Sequence, residues 1–331
     1  KDKRESWKFS KSNFKAYNKM NFSGKVAFLR DLIVNTLTPL ISDSYVLWDL
    51  PYYTNIGDIL IWEGTENFLK QLSSQCISKC SYQTFSYKPL PKDTTILLQG
   101  GGNFGDLWRV HQEFRLKIVE LYPDNKIIIL PQSVHYQDTK ILERDAELMG
   151  KHSNLTICVR DTKSWDILGS YFYKNNLLLL PDMAFCISQQ TLNQYSGKST
   201  SKVLYLKRND IEFCAKNYES YIIEDLHLVD IRDWPTMEFI SIRFKILGKL
   251  INFQQYKLAN AFASIFLKTY LIKKGGRFLC RYNKIYTTRL HVAILAILLN
   301  KPFVFFDNSY GKNRFFYETW LKDLDNIYFI D

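Results

Sequence analysis

The side chains best placed for acid–base work stand together in Thr287-Thr288-Arg289-Leu290-His291, where an apolar strand gives way to an apolar helical run over residues 292–299. An arginine fork at such a junction can clasp a carboxylate or phosphate through two parallel hydrogen bonds. A histidine in the first turn of a helix meets its positive end, which disfavours the imidazolium, so His291 can accept a proton and return it. The alternative is a helix-start histidine spent on a backbone carbonyl. Further on, Asp307-Asn308-Ser309-Tyr310-Gly311-Lys312 follows a second strand. Gly311 and Lys312 make a plausible phosphate loop with Tyr310 as a hydrogen-bonding group; a simple turn before a helix is the other reading.

The N-terminal half offers a matching set. Tyr52-Tyr53-Thr54-Asn55-Ile56-Gly57-Asp58 lies between a strand at 44–48 and a helix over 59–69. Asn55 and Gly57 can present amides to an anion, with Asp58 as helix cap or base. Gln132-Ser133-x-His135 and Arg160-Asp161-x-x-Ser164 follow strands at 126–130 and 155–159, on what should be one sheet edge. Arg160 is a candidate anion ligand, whereas Asp161 and Ser164 read as helix capping.

Gly100, Gly102 and Gly105, in Gly100-Gly101-Gly102-Asn103-Phe104-Gly105, satisfy the spacing of the dinucleotide-binding fingerprint. That site also needs a carboxylate about 20 positions on, at the end of the next strand. Here that strand ends in Pro131-Gln132-Ser133, and Glu120 falls in the preceding helical segment. A nicotinamide cofactor is therefore set aside. The glycines are read as a strand running into a turn at a helix start, where backbone approaches a ligand closely or merely turns.

These residues need elements to hold them. Strands are expected at 44–48, 95–99, 126–130, 155–159 and 177–180, with spacers long enough for helices, which argues for a parallel sheet with helical crossovers. Polar residues 188–201 read as a linker. A second alternating half follows, with strands at 202–206, 221–224, 284–287 and 303–306. The expected plan is α/β: two Rossmann-like domains facing a cleft, GT-B-like, with ligands at the strand C-terminal ends. Residues 1–44 form a basic, aromatic extension and a helix over 22–40; residues 45–190 form the N-terminal domain, and 191–331 the C-terminal domain.

At 331 residues and 46% hydrophobic content, the chain can bury cores for both domains. A net charge of +11 favours acidic partners. No run of 18 apolar residues spans a membrane, and the cysteines show no metal-ligand spacing. Residues 239–277 carry eight basic residues and no Asp or Glu, with apolar residues between them at helical spacing. That pattern fits an anionic membrane surface or helices packed on the C-terminal sheet.

In chain order, Asn55-Ile-Gly-Asp58, Gly100–Trp108, Leu130-Pro-Gln-Ser133, Val159-Arg160 with Ser164, Pro181-Asp-Met-Ala-Phe185, Thr288-Arg-Leu-His291 and 307–312 resemble the bacterial polysaccharide pyruvyl transferase family. The resemblance implies transfer of the enolpyruvyl group of phosphoenolpyruvate onto two hydroxyls of a sugar, giving a cyclic ketal and phosphate. It implies Arg289, Arg160, Lys312, Tyr310 and Gly311 around phosphoenolpyruvate, with His291 as acid/base and Arg289 beside it. Asn55, Gly57, Asp58, Gly101, Gly102, Asn103, Gln132 and Ser133 would meet the acceptor. No metal or further cofactor is called for, and no nucleic acid. The implied acceptor is a lipid-linked sugar of capsule or exopolysaccharide assembly, met at the inner face of the cytoplasmic membrane. A GT-B glycosyltransferase using a nucleotide sugar is the competing reading; it needs an acidic ribose ligand, for which only Glu318 offers itself.

Overall fold

Apolar strands alternating with helices wind into two wholly parallel sheets. The structure is a computed structural model and describes residues 19–331 except 196–199, 201, 209, 211, 213–215, 217, 225, 239, 240 and 326. Most of the expected N-terminal extension and part of the expected linker lie outside the described residues. The first sheet contains β1 (Ser44–Trp48), β2 (Gln75–Lys79), β3 (Thr95–Leu98), β4 (Gly101–Gly105), β5 (Ile127–His135), β6 (Leu155–Val159) and β7 (Asn176–Leu179). Its order is β2-β1-β3-β5-β6-β7, with β4 beside β5. The second contains β8 (Val203–Leu206), β9 (Val229–Arg232), β10 (Lys284–Thr287), β11 (Phe303–Phe306) and β12 (Ile327–Ile330), in the order β12-β11-β10-β8-β9.

The helices are α1 (Phe22–Leu37), α2 (Ile56–Leu69), α3 (Arg109–Leu121), α4 (Thr139–Met149), α5 (Thr162–Tyr171), α6 (Gln189–Asn193), α7 (Pro235–Glu238), α8 (Ile242–Asn252), α9 (Tyr256–Phe262), α10 (Lys268–Cys280), α11 (Leu290–Leu298) and α12 (Lys312–Phe316). Alternation along the strands divides the core. Val46, Ile96, Ile129 and Ile157 face one side of the first sheet, while Leu47, Leu97, Ile128 and Cys158 face the other. The second side shares a single apolar cluster with Leu204, Leu206, Ile285 and Phe305 of the second sheet. Leu29 and Ile33 of α1, Trp62 of α2, Leu271 of α10 and all of α11 except His291 fill that cluster. Sheets covered on both faces are what near-continuous apolar strands require. α11 is buried all round, so its first turn, which carries His291, has a rigid seat.

Two expectations need correction. The glycine stretch is not a turn at a helix start: Gly101–Gly105 is a strand, and the helix begins only at Arg109. The cause is β5, which runs nine residues through Pro131, Gln132 and Ser133 rather than ending before them, and so offers Gln132 and Val134 as partners to Gly101 and Phe104. Gly105, at φ 128°, would place a Cβ 1.8 Å from the His135 carbonyl oxygen, so no side chain fits there. Residues 221–224 are not a strand; β9 takes that edge, and Tyr218 just upstream stacks on Phe306 at 4.5 Å. Edge strands β2 and β9 lack two-sided burial, which is why their apolar signal is weak.

Candidate active site

Loops at the C-terminal ends of strands in both sheets meet around a cavity of about 370 Å³. One end is built from buried charge. Arg160, just after β6, donates through Nε to Ser133 Oγ at 3.0 Å and through Nη1 to Asp182 Oδ2. Its Nη1 also lies 3.4 Å from His291 Nε2, which is itself 3.3 Å from Asp182 Oδ2. Asp182 is fixed from behind by the Ala184 N–H at 2.9 Å. Burial pushes the Asp182 carboxyl up, but His291 and Arg160 outweigh it and hold it well below the usual carboxylate range. This contact joins the first sheet to α11. The other side of the imidazole lies on α2, where a Cβ on Gly57 would come within 2.6 Å of His291 Nδ1.

The second sheet supplies a further cluster. Arg208, after β8, grips Asp210 through Nε at 2.6 Å and Glu212 through Nη1 at 2.7 Å. Glu212 Oε2 also accepts from Lys312 Nζ at 2.6 Å and Tyr310 OH at 2.8 Å. Against the cost of burial, Lys312 and Arg208 hold the Glu212 carboxyl well below its ordinary range. Burial lowers the Lys312 ammonium, a pull that Glu212 only partly offsets. Arg289 caps the start of α11 and gives its fork to Asp233, Nε to Oδ1 at 2.5 Å and Nη2 to Oδ2 at 2.6 Å. Its Nη2 also reaches Asp210 at 3.2 Å.

The cavity is also lined by the aromatic side chains of Tyr53, Tyr82, Trp108 and His111. His111 Nδ1 lies 2.7 Å from Asp49 Oδ1. A second cavity of about 420 Å³ near α1 carries no such chemistry. Its two cations are spent on backbone: Arg30 on the Phe185 and Ile187 carbonyls, Lys301 on those of Cys280 and Tyr282.

The polysaccharide pyruvyl transferase family profile matches residues 55–310, spanning every charged group of this cavity that lies beyond Tyr53 except Lys312. The chain belongs to this family. It is 35% identical to the putative pyruvyl transferase EpsO of Bacillus subtilis (strain 168), over 83% of this chain and 84% of that one. Pyruvyl transferase 1 of Schizosaccharomyces pombe is 28% identical, over 82% of this chain and 68% of that one. A solved structure of a functionally uncharacterised Klebsiella pneumoniae protein aligns with TM-score 0.60 at 20% identity, over 93% and 98% of the two chains, and supports the fold alone.

Of the residues read from the sequence of this pyruvyl transferase family member, Asn55, Asp58, Gly102, Asn103, Arg160, Arg289, His291 and Lys312 line the cavity. Asn55, rather than Asp58, caps α2, accepting from the Gly57 N–H at 3.0 Å while donating to Asp58 at 2.8 Å. Gly102 lies beside the cations, since a Cβ there would be 3.2 Å from Arg160 Nη2 and 3.4 Å from Lys312 Nζ. Gly57, Gly101, Gln132, Ser133, Tyr310 and Gly311 stand behind the lining. Gly57 makes room for His291, Ser133 braces Arg160, and Gln132 donates to the Gln99 carbonyl at 2.8 Å. Gly311 starts α12 at φ 82°. Glu318 is absent from the lining, so the acidic ribose ligand of the glycosyltransferase reading has no candidate among the described lining residues.

Sequence reading quoted Asp182 only within the family stretch 181–185, with no site role, and missed Arg208, Asp210, Glu212, Asp233, Asp49 and His111. Asp49, Asp182, Arg208 and Asp233 lie one to three positions beyond strand ends (β1 at Trp48, β7 at Leu179, β8 at Leu206, β9 at Arg232), where α/β folds present ligand-binding loops, and that rule would have flagged them.

Proposed function

We propose that the protein is a ketal-forming pyruvyl transferase that moves the enolpyruvyl group of phosphoenolpyruvate onto two hydroxyls of a sugar and releases phosphate. The observation that carries this is His291, seated on Gly57 and set against Asp182 and Arg160 at the cationic end of the cavity. His291 protonates the methylene carbon, and the resulting oxocarbenium-like centre at C2 is attacked by the first sugar hydroxyl. The C2–O bond to phosphate then breaks, and the second hydroxyl closes the ring. One hydroxyl proton is accounted for on the new methyl group and the other on the departing hydrogen phosphate. Lys312, Arg208 and the remaining Nη1 edge of Arg289 suit a donor carrying both phosphate and carboxylate. On this reading the two sheets are the Rossmann-like halves of a GT-B-like enzyme, with the donor on the C-terminal side and the acceptor on the N-terminal side.

Phosphate release from phosphoenolpyruvate, with lipid-linked oligosaccharide as acceptor, tests the reading. His291→Ala should lose about 10²–10⁴-fold in rate, and Arg289→Ala should also fall sharply. Wild-type rates in both variants would overturn the site assignment. Thermal protection by UDP-sugars and none by phosphoenolpyruvate would favour the glycosyltransferase.

We further infer that the acceptor is lipid-linked and the enzyme peripheral at the inner face of the membrane, serving capsule or exopolysaccharide synthesis. Among the described residues no helix is long and apolar enough to cross a membrane. Ile242, Phe253, Leu258, Ile265 and Phe266 are all more than half exposed, on a segment that also carries Arg243, Lys245, Lys249 and Lys257. Lys268 is excepted from this basic face, being buried against Glu63 and Glu66. Co-sedimentation with phosphatidylglycerol vesicles, lost in Phe253→Ser/Phe266→Ser, is expected; equal binding to phosphatidylcholine, or none to either, would end this part of the reading.

A further inference from the structure

His111 on the aromatic lining of the cavity, with Asp49 behind it, is a second histidine–carboxylate pair that the pyruvyl-transfer steps leave unused. Asp49 follows β1 with a left-handed backbone, φ 63°, a conformation that aspartate tolerates better than most side chains but that still stores strain. The geometry aims its carboxylate at two groups of α3: Oδ1 at His111 Nδ1, 2.7 Å away, and Oδ2 at Arg115 Nη2, 3.0 Å away. Arg115 is fully buried and also holds Asn103, Nη2 to Oδ1 at 2.5 Å and Nη1 to the carbonyl at 3.0 Å. The rings of Tyr53 and Tyr82 meet the imidazole edge-on at 5.7 and 5.1 Å.

A histidine used only for structure spends both nitrogens inside the protein. His152 does so, with Nε2 on the Tyr122 carbonyl at 3.0 Å and Nδ1 on the Asn154 N–H at 3.2 Å. His111 spends Nδ1 alone and lines the cavity with the rest of its ring. A carboxylate at Nδ1 fixes the tautomer in which Nε2 is the proton acceptor, and stabilises the imidazolium that forms when it accepts. The Tyr53 and Tyr82 rings against it, and Trp108 on the same cavity lining, present apolar surface that suits the face of a pyranose ring.

We propose that Tyr53, Tyr82 and Trp108 form the sugar subsite and that His111, positioned by Asp49, is the base for the acceptor hydroxyl. This rests on the pyruvyl-transfer reading and deepens it. An oxygen lone pair of the hydroxyl forms the bond to C2, the O–H electron pair returns to oxygen, and the proton passes to His111 Nε2. Exchange with water then clears that proton and restores the one His291 gave to the methylene, so the cycle closes without any further reactant. Two histidines thus divide the work, His291 as acid toward the donor and His111 as base toward the acceptor.

The test uses the full chain, labelled phosphoenolpyruvate and lipid-linked oligosaccharide extracted from the source cells. His111→Gln should lower kcat about 10²–10⁴-fold, while phosphoenolpyruvate still protects the variant against thermal unfolding to the wild-type extent. Asp49→Asn, which can donate to Nδ1 and reverse the tautomer, should lose kcat comparably with KM for phosphoenolpyruvate unchanged. Trp108→Ala should instead raise acceptor KM about tenfold and leave kcat within about threefold. Should His111→Gln not fold, Asp49→Asn decides alone through its split between kcat and KM. An active wild type with either His111→Gln or Asp49→Asn within threefold of it overturns this proposal and leaves the pyruvyl-transfer reading standing. A wild type neither protected by phosphoenolpyruvate nor labelling the lipid overturns that reading itself.

Discussion

Two clusters of buried charge tie the first sheet's half of the chain to the second's, and they are built differently. Between α2 and α10, Lys268 reaches Glu63 at 2.8 Å and Glu66 at 2.5 Å, while Lys79 takes the other oxygen of Glu66 at 2.7 Å. Trp62 Nε1, Asn67 and Thr191 complete the carboxylates' hydrogen bonds. That cluster is closed, because its partners all come from the protein. Around the cavity, Arg160, Arg208, Arg289 and Lys312 face Asp182, Asp210, Glu212 and Asp233. Here too every cation has a carboxylate, yet Gly102 lies beside Arg160 and Lys312, and all of these groups except Asp182 and Asp233 line the cavity. Pairing alone therefore does not separate a closed cluster from one open to a ligand. What separates them is whether unspent faces of the charges point into protein or into a cavity.

Removing a partner from the closed cluster should have the largest effect on stability. Lys268→Ala leaves Glu63 without a cation and Glu66 with Lys79 alone, and should cost about 3–5 kcal/mol, read as a melting temperature lower by roughly 10 °C. Arg208→Ala, whose cavity-side carboxylates can be rehydrated, should cost less than half of that; an equal loss in both would erase the distinction.

Acid should act on the closed cluster next. Burial raises the Glu66 carboxyl, but Lys268 and Lys79 bring it down to about 2 from an ordinary 4.5. A depressed carboxyl stabilises the fold fully above its unfolded value, and the contribution, roughly 3 kcal/mol, fades as pH falls from about 4.5 toward 2. Urea midpoints across that range should drop in wild type and drop less in Glu66→Gln, whose stability is already lower at neutral pH.

The smallest effect sharpens the comparison most. Glu212 gathers Arg208, Lys312 and Tyr310 much as a phosphate would. If that cluster works on anions, Glu212→Gln should tighten inorganic phosphate about tenfold, or 1.4 kcal/mol, by removing a competing charge. Weaker phosphate binding, by calorimetry, would class Glu212 with the carboxylates of the closed cluster.

Much of the site was legible before any fold was known. Arg289 and His291 at a strand–helix junction, Arg160 after a strand and Lys312 after a glycine all line the cavity, because local pattern alone puts strand ends on one edge. The glycine stretch was misread for a physical reason: whether Gly101–Gly105 turns or pairs depends on how far β5 continues beside it, which lies outside its own residues.

The sequence by itself determined most of the central strands, the family and the cationic side chains, since these follow from periodicity, turn chemistry and short motifs. Only the tertiary structure decided which carboxylate each cation keeps. Asp182 meets His291 across 109 positions, Glu212 meets Lys312 across 100, and Asp49 meets His111 across 62. No local period encodes such pairs. They arise because parallel strands, joined by long crossovers, deliver loops from distant parts of the chain to the same ends of the sheets.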